Sequence, residues 1–307
     1  MTRPNHRWLP VLPVILFLGL LATASSHPNQ TVSGDLTAEE WRLLHDSFSR
    51  RVINAVKQQD RGLLKQIFKE AGTKDVFPEW LLEYNQNILQ SCQKDAILFT
   101  GNDLDTTAAW YLQQKGTRKD VSVIPLGLLG HDWFRFALVG PNHFIPTNAL
   151  DCPYNIFSDS TKFGSDCLPQ NEMIDTIQLI TRDGFRPVHF SINCNQDVLG
   201  LFQNQLVHCG MTWLQAISSL ESDPPDDRNI KMIEDIFSGE KGFRSIRHTV
   251  MDPPISIPQS IRFQYIDIAH QFIRHLSENK RNRKAAKIKN ELIHGIGKNM
   301  IFQPDFH

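Results

Sequence analysis

From Trp41 the chain carries apolar residues at helical spacing, Trp41, Leu44, Phe48, Val52 and Val56, with Arg50, Arg51 and Lys57 off the stripe. This predicts an amphipathic helix with one core face. Thr37-Ala38-Glu39-Glu40 supplies a capping box at its start. A second helix is predicted from Gly62 to Ala71, closed by Gly72, and a third is opened by Pro78 and carries Trp80, Leu81, Tyr84 and Leu89. The period then changes. Ala96 to Thr100 is a short apolar run stopped by Gly101, Thr106 is placed to cap a helix through Trp110, Tyr111 and Leu112 to Gly116, and Val121 to Leu126 is apolar again. The order is strand, acidic loop, helix, strand. A turn plus about ten helical residues is the least that joins two parallel strands, and such crossovers are right-handed.

Gly130 to Gln170 is rich in Pro, Asn, Ser and Asp with no sustained period, and reads as loop. Met173 to Arg182 then reads as a helix with Ile177 and Ile180 inward. Pro187 to Asn193 alternates at period two, with Val188, Phe190 and Ile192 opposed to His189, Ser191 and Asn193. A helix from Asp197 to His208 and an extended run from Met211 to Ile217 give a second strand, helix, strand unit. Pro-rich breaks follow at Asp223 to Asp227 and at Met251 to Pro258, and Ile261 to Ser277 with Arg283 to Ile296 form an αα hairpin.

These elements predict an α/β fold, a Rossmann-like layered sheet of about four or more mainly parallel strands. The expected divisions are a signal segment over 1–24, an N-terminal helical layer over 25–94, the sheet domain over 95–222 and a C-terminal helical segment over 223–307. No G-x-G-x-x-G fingerprint is present, so the layering implies no dinucleotide. The αα hairpin resembles one helical-repeat unit, and since about three such units are needed for a stable array it is expected to pack on the sheet.

Charge adds little. Lys plus Arg number 32 and Asp plus Glu 33, which gives no electrostatic reason to expect a nucleic-acid partner. The exception is local: Lys280, Arg281, Arg283, Lys284, Lys287 and Lys289 concentrate on the last helix, either as a solvated face or as a contact for an anionic lipid or polymer. At the other end, Arg3 and Arg7 precede an apolar run from Trp8 to Leu21, followed by Ala22-Thr23-Ala24. This predicts a secretory signal and hence a secreted or periplasmic protein, with an uncleaved membrane anchor as the alternative. Asn29-Gln30-Thr31 is a glycosylation sequon if the source is eukaryotic.

An exported chain with 5 cysteines leaves one unpaired. Cys152 and Cys167 flank a turn-rich loop with little apolar surface, and are the first expected disulfide. Cys194 and Cys209 have the same spacing, but a helix over 197–208 would carry the chain roughly 18 Å along the sheet, beyond the reach of a bridge. Cys194 therefore reads as a buried strand residue. No two cysteines sit at C-x-x-C spacing and no G-x-S-x-G elbow is present.

The candidate chemistry lies in Asn102, Asp103, Asp105 and Thr106, at the carboxyl end of the first predicted strand, where open α/β sheets place their ligand crevice. Two carboxylates at i and i+2 in a loop can converge on a hard cation such as Mg²⁺, Mn²⁺ or Ca²⁺. The alternative is architectural: Asp and Asn bond turn backbone and favour helix N-termini. His131 and Asp132 in the following loop, together with His143 and Asp151, could face this pair. His189 is the next candidate if the sheet order brings it near.

Asp103-x-Asp105-Thr106, Trp110-Tyr111, Gly116-x-Arg118-x-Asp120-Val121, Leu128-Leu129 and Asp132-Trp133-Phe134 resemble the soluble extracytoplasmic part of bacterial O-mannosyltransferase-like multi-pass membrane proteins. Arg186-Pro187-Val188-His189-Phe190, Leu199-Gly200-Leu201 and Gly210 are similar to a later block of that family, and the resemblance covers roughly Asp95 to Trp213. It implies a fold and an extracytoplasmic location. In that family glycosyl transfer belongs to a many-helix membrane region, of which this sequence shows no counterpart. The expectation is therefore a non-catalytic binding or accessory module for a glycan, a glycoprotein or a membrane protein. A metal-dependent enzyme acting on sugar or phosphate through Asp103 and Asp105 is the first alternative, and a structural scaffold the second.

Overall fold

A computed structural model of the chain describes residues 36–131, 133–134, 174, 177–178, 186–215, 225–238 and 259–296. The expected signal segment, Asp132, His143, Asp151, Cys152 and Cys167 lie outside the described residues, as does most of the helix expected over 173–182; Ile177 of that helix is buried.

The N-terminal helices are α1 (Ala38–Lys57), α2 (Arg61–Thr73) and α3 (Glu79–Ser91). Thr37 and Glu40 form the expected capping box, and Trp41, Phe48, Val52 and Val56 are buried along the predicted stripe while Leu44 is half-buried. Asp60 caps α2 through Leu63 N–H (2.8 Å). The helix continues through Gly72 to Thr73, past its expected end.

Strand β1 (Ile97–Thr100), α4 (Asp103–Gln114), β2 (Ser122–Pro125) and the short α5 (Leu126–Leu129) follow. Then come β3 (Val188–Ser191), α6 (Gln196–Gly200), β4 (Leu206–Cys209) and β5 (Thr212–Gln215). The sheet runs β2-β1-β3-β5-β4, with β1 parallel to both β2 and β3. β5 is antiparallel to β3 and to β4, so the sheet is mixed rather than mainly parallel. The expected second crossover is replaced by a hairpin. The helix predicted over 197–208 ends at Gly200, and Leu206–Cys209 is extended instead. Gly210-Met211 forms a two-residue connection between the paired Cys209 and Thr212, with Gly210 at φ 57°. That left-handed conformation suits a tight hairpin turn.

Phe99 of β1 stacks on Phe190 of β3 (5.2 Å between centroids), and Phe190 meets Phe202 (5.3 Å) beyond α6. Trp110 packs α4 against β2, donating to Val123 O (3.3 Å). Three further helices, α7 (Pro225–Ser238), α8 (Gln259–Glu278) and α9 (Asn282–Ile296), complete the described elements. The expected αα hairpin is α8–α9. Tyr265, Ile268, Ala269, Phe272 and Leu276 of α8 are buried. Asn87 of α3 donates to the Tyr265 hydroxyl (2.8 Å), tying the hairpin to the N-terminal layer. Lys284 pairs with Glu234 of α7, with Arg281 3.6 Å from the same carboxylate, so part of the basic cluster is structural. No helix among the described residues is long and apolar enough to cross a membrane.

Candidate functional site

The sequence step from β1 to α4 is shorter than expected. Asn102, not Thr106, caps α4: its side chain accepts from Leu104 N–H (3.0 Å) and Asp105 N–H (3.4 Å). Asp105 completes a reciprocal box, accepting from Asn102 N–H (2.9 Å) and Gly101 N–H (3.2 Å). Thr106 instead donates to Asn102 O (2.7 Å), which leaves Thr100 as donor to the Thr106 hydroxyl (2.7 Å).

This places both carboxylates in the first turn of a helix rather than in a loop. Positions i and i+2 on a helix lie about 200° apart. Accordingly Asp105 is fully buried and Asp103 is exposed. Burial pushes the Asp105 carboxyl upward, against the pull of hydrogen bonds from Ser191 and the backbone. Asp103 is also raised, by partial desolvation and then by the charge of Asp46 on α1.

β1 is paired with β2 on one side and β3 on the other, so the β1–β3 boundary is a topological switch point of the kind that opens a ligand crevice. Here it is filled. Ser191, at the end of β3, donates to Asp105, and Asn193 N–H donates to the Ser191 hydroxyl (3.1 Å). Tyr84 of α3 donates to Gln264 of α8 (2.7 Å) and accepts from Asn193 (3.0 Å), and Gln264 donates back to Asn193 (3.0 Å). The ring of bonds closes on itself. Burial, and then the Asp105 charge, hold the Tyr84 hydroxyl well above its ordinary range.

The remaining candidates are dispersed. His131 stacks on Trp133 (5.9 Å between centroids), over which Lys57 of α1 lies. His189 is fully buried in mid-strand, opposite Leu98. Its Nε2 accepts from Gln93 N–H (3.2 Å), so in the neutral ring Nδ1 carries the proton and donates to Thr212 (2.8 Å). Among the described residues no group of three or more His, Cys, Asp or Glu is arranged to hold a metal ion.

At the opposite, amino-terminal edge of the parallel strands the Gly-x-Arg-x-Asp-Val motif acts as a clamp. Arg118 Nη1 donates to Leu89 O (2.8 Å) and Cys92 O (2.9 Å), and Nη2 to Gln93 O (2.8 Å). Its Nε and Nη2 also grip Asp120 (2.9 and 2.8 Å), which closes the end of α3 against the start of β2. Asp120 in turn accepts from Asp95 N–H (3.2 Å). Arg186 binds the starts of β1 and β2 through Asp95 O, Ala96 O and Ser122. Arg118→Ala is expected to lose roughly 2–3 kcal/mol in urea unfolding, with Arg118→Lys restoring little because an ammonium cannot reproduce the fork. The Arg118 hydrogen bond holds the Asp120 carboxyl down at about 2. A depressed carboxyl contributes stability above its unfolded pKa and loses it as pH falls through the folded one. The wild type should therefore lose this contribution between about pH 4 and pH 2, and Arg118→Ala should flatten that part of its acid curve.

Beside this clamp lies a cleft of about 1090 Å³, walled by the outer face of α3 and by Met232, Asp235 and Ile236 of α7. Glu83, Gln86, Asn87, Gln90 and Gln93 line the α3 side, with Lys94, Arg118 and Asp120 at one end. The amide-rich face follows from the off-stripe positions of α3. That α7 would complete a cleft with it has no local signal in the sequence.

Residues 81–138 match the family described as TMEM260-associated domain 2. The match begins inside α3, spans β1, α4, β2 and α5, and covers under a fifth of the chain. It therefore includes the acidic turn, the Arg118 clamp and part of the α3 wall, and excludes the α7 wall. No curated protein and no solved structure matches the chain.

Proposed function

We propose that the chain is an exported, non-catalytic binding or accessory module, and that its ligand occupies the α3–α7 cleft rather than the strand-end turn. The contrast between the two places carries this reading. The cleft is open and lined by side chains with hydrogen-bonding capacity, whereas the Asp105 carboxylate is engaged by its own helix cap and by Ser191. Gln86, Gln90 and Gln93 each present a donor and an acceptor, and Asp235 adds an acceptor. A neutral, many-hydroxyl ligand matches that set, so the proposed ligand is a glycan, free or carried on a glycoprotein. The matched family is named for TMEM260, and the sequence resemblance to O-mannosyltransferase-like membrane proteins supports a glycan-related role.

Thermal unfolding with mannose oligosaccharides, and separately with Mg²⁺, Mn²⁺ or Ca²⁺, tests this. At a ligand concentration of about 100 Kd, binding stabilises the fold by about 2.7 kcal/mol. The expected result is a rise in midpoint with the oligosaccharide that persists in Asp103→Ala and disappears in Gln90→Trp, since Gln90 is exposed on the cleft wall. A rise with a cation that is lost in Asp103→Ala would return the function to the acidic turn as an ion-dependent enzyme site. No rise with either would leave the scaffold reading.

A further inference from the structure

We infer that Cys92 and Cys209 form a disulfide that ties the C-terminal end of α3 to the β4–β5 hairpin. Both residues are buried, at 2 % exposure each. Their thiols donate to neighbouring carbonyls at the same helix end, Cys92 to Ile88 O and Cys209 to Ser91 O, each at 3.5 Å. Ser91 O belongs to the peptide bond that leads into Cys92, so the Cys209 sulfur lies within one peptide unit of the Cys92 backbone. The hairpin is held there independently. Met211 N–H donates to the Ser91 hydroxyl (2.9 Å), and Gly210 approaches so closely that a Cβ would stand 2.3 Å from that oxygen. A thiol is a weak donor, so the S–H···O contacts to Ile88 O and Ser91 O are a small loss on forming the bridge.

The remaining described cysteine does not compete. Cys194 sits at the far end of β1, donating to Phe99 O (3.3 Å). The pairing also accounts for the odd cysteine: Cys194 is left over if Cys152 bridges Cys167 as the sequence suggests. Burial pushes the Cys92 thiol upward, against a smaller opposing pull from the Arg118 charge and with Cys209 and Asp120 adding to the rise, so exchange in the folded protein is slow. Bridge formation accordingly belongs to folding in an oxidising compartment, with a low-molecular-weight disulfide as oxidant. One protein thiolate attacks that disulfide and expels a thiolate, and the second then attacks the mixed disulfide and expels the other. Two protein thiols are oxidised and one small disulfide is reduced to two thiols. Since Cys92 lines the cleft, the bridge fixes the end of its α3 wall.

Refolding the full chain in reduced and oxidised glutathione, trapping remaining thiols with an alkylating agent and mapping the digest by mass spectrometry tests the pairing. The expected result is a linked Cys92–Cys209 peptide that is absent from Cys209→Ser. Because the bridge would close a loop of on the order of 100 residues, the oxidised wild type should also unfold several degrees above its reduced form. Recovery of Cys92 and Cys209 as separately alkylated or glutathione-capped peptides, or linked to other cysteines, overturns the inference.

Discussion

Asp105→Ala is expected to destabilise the protein by roughly 3 kcal/mol or more, whereas Asp103→Ala, two residues away, should cost no more than about 1 kcal/mol. The difference follows from where the two carboxylates point. Asp105 is fully buried and takes hydrogen bonds from Gly101 N–H, Asn102 N–H and the Ser191 hydroxyl. Its truncation removes half of the capping box and leaves the buried Ser191 hydroxyl and the part-buried Gly101 and Asn102 N–H groups without their acceptor, a loss worth up to about 1–3 kcal/mol for each donor. Asp103 is exposed, and the favourable effect of its place at the helix N-terminus, about 0.3–1 kcal/mol, is opposed by partial desolvation and by the charge of Asp46. Asp105→Asn should fall between them, because one side of the amide would set its N–H₂ against Gly101 N–H. Urea unfolding of the three variants gives the order directly. Equal small losses for Asp103→Ala and Asp105→Ala would mean that Asp105 is not the keystone of the turn, and would reopen the acidic pair as a ligand site.

The same turn shows why sequence reasoning reached some of this structure and stopped short of the rest. The stripe Trp41, Phe48, Val52 and Val56 and the Thr37–Glu40 box are local and periodic, and α1 forms where they place it. β1 and β2 are short apolar runs bounded by turn residues, and form within a residue of expectation. The start of α4 was ambiguous locally, since both Asn102 and Thr106 are good caps. Asp105 favours Asn102, and the bond from Ser191, 86 residues further along the chain, holds it there. β4 is hidden for a similar reason. Val198, Leu199, Phe202 and Leu206 fit a helical period, and the extended alternative wins through pairing with β5 and contact of Gly210 and Met211 with Ser91. The hydrogen-bond ring at the strand end is least legible, because Tyr84, Asn193 and Gln264 come from distant parts of the chain. Each alone is an unremarkable polar residue.

Gly101→Ala should produce the largest loss of all, about 4 kcal/mol or more, enough to remove a marginal protein from the folded state. A Cβ on Gly101 would stand 1.9 Å from Asn193 O, 2.4 Å from the Asn193 carbonyl carbon and 2.7 Å from Cys194 N. All three are backbone atoms, so no side-chain rotation relieves the overlap. The chain after β3 would have to retreat from β1, taking Asn193 away from Tyr84 and Gln264. Two other glycines separate this cause from the general effect of adding a methyl group. Gly127 has open space around its Cβ position and no positive φ, so Gly127→Ala should be neutral or stabilising by about 0.4–1 kcal/mol. Gly116 also has open space but sits at φ 105°, so Gly116→Ala should cost about 1–3 kcal/mol through backbone strain alone. The series is read by equilibrium unfolding, and the expected order is Gly127, Gly116, Gly101. It bears on function as well as stability, because the backbone contact that excludes one methyl group at Gly101 holds the end of β1 against the segment after β3 at the strand-end turn. If Gly101→Ala unfolds with the wild-type midpoint, β1 and the segment after β3 stand far enough apart to admit that methyl group, and the case for placing the ligand in the α3–α7 cleft loses its main support.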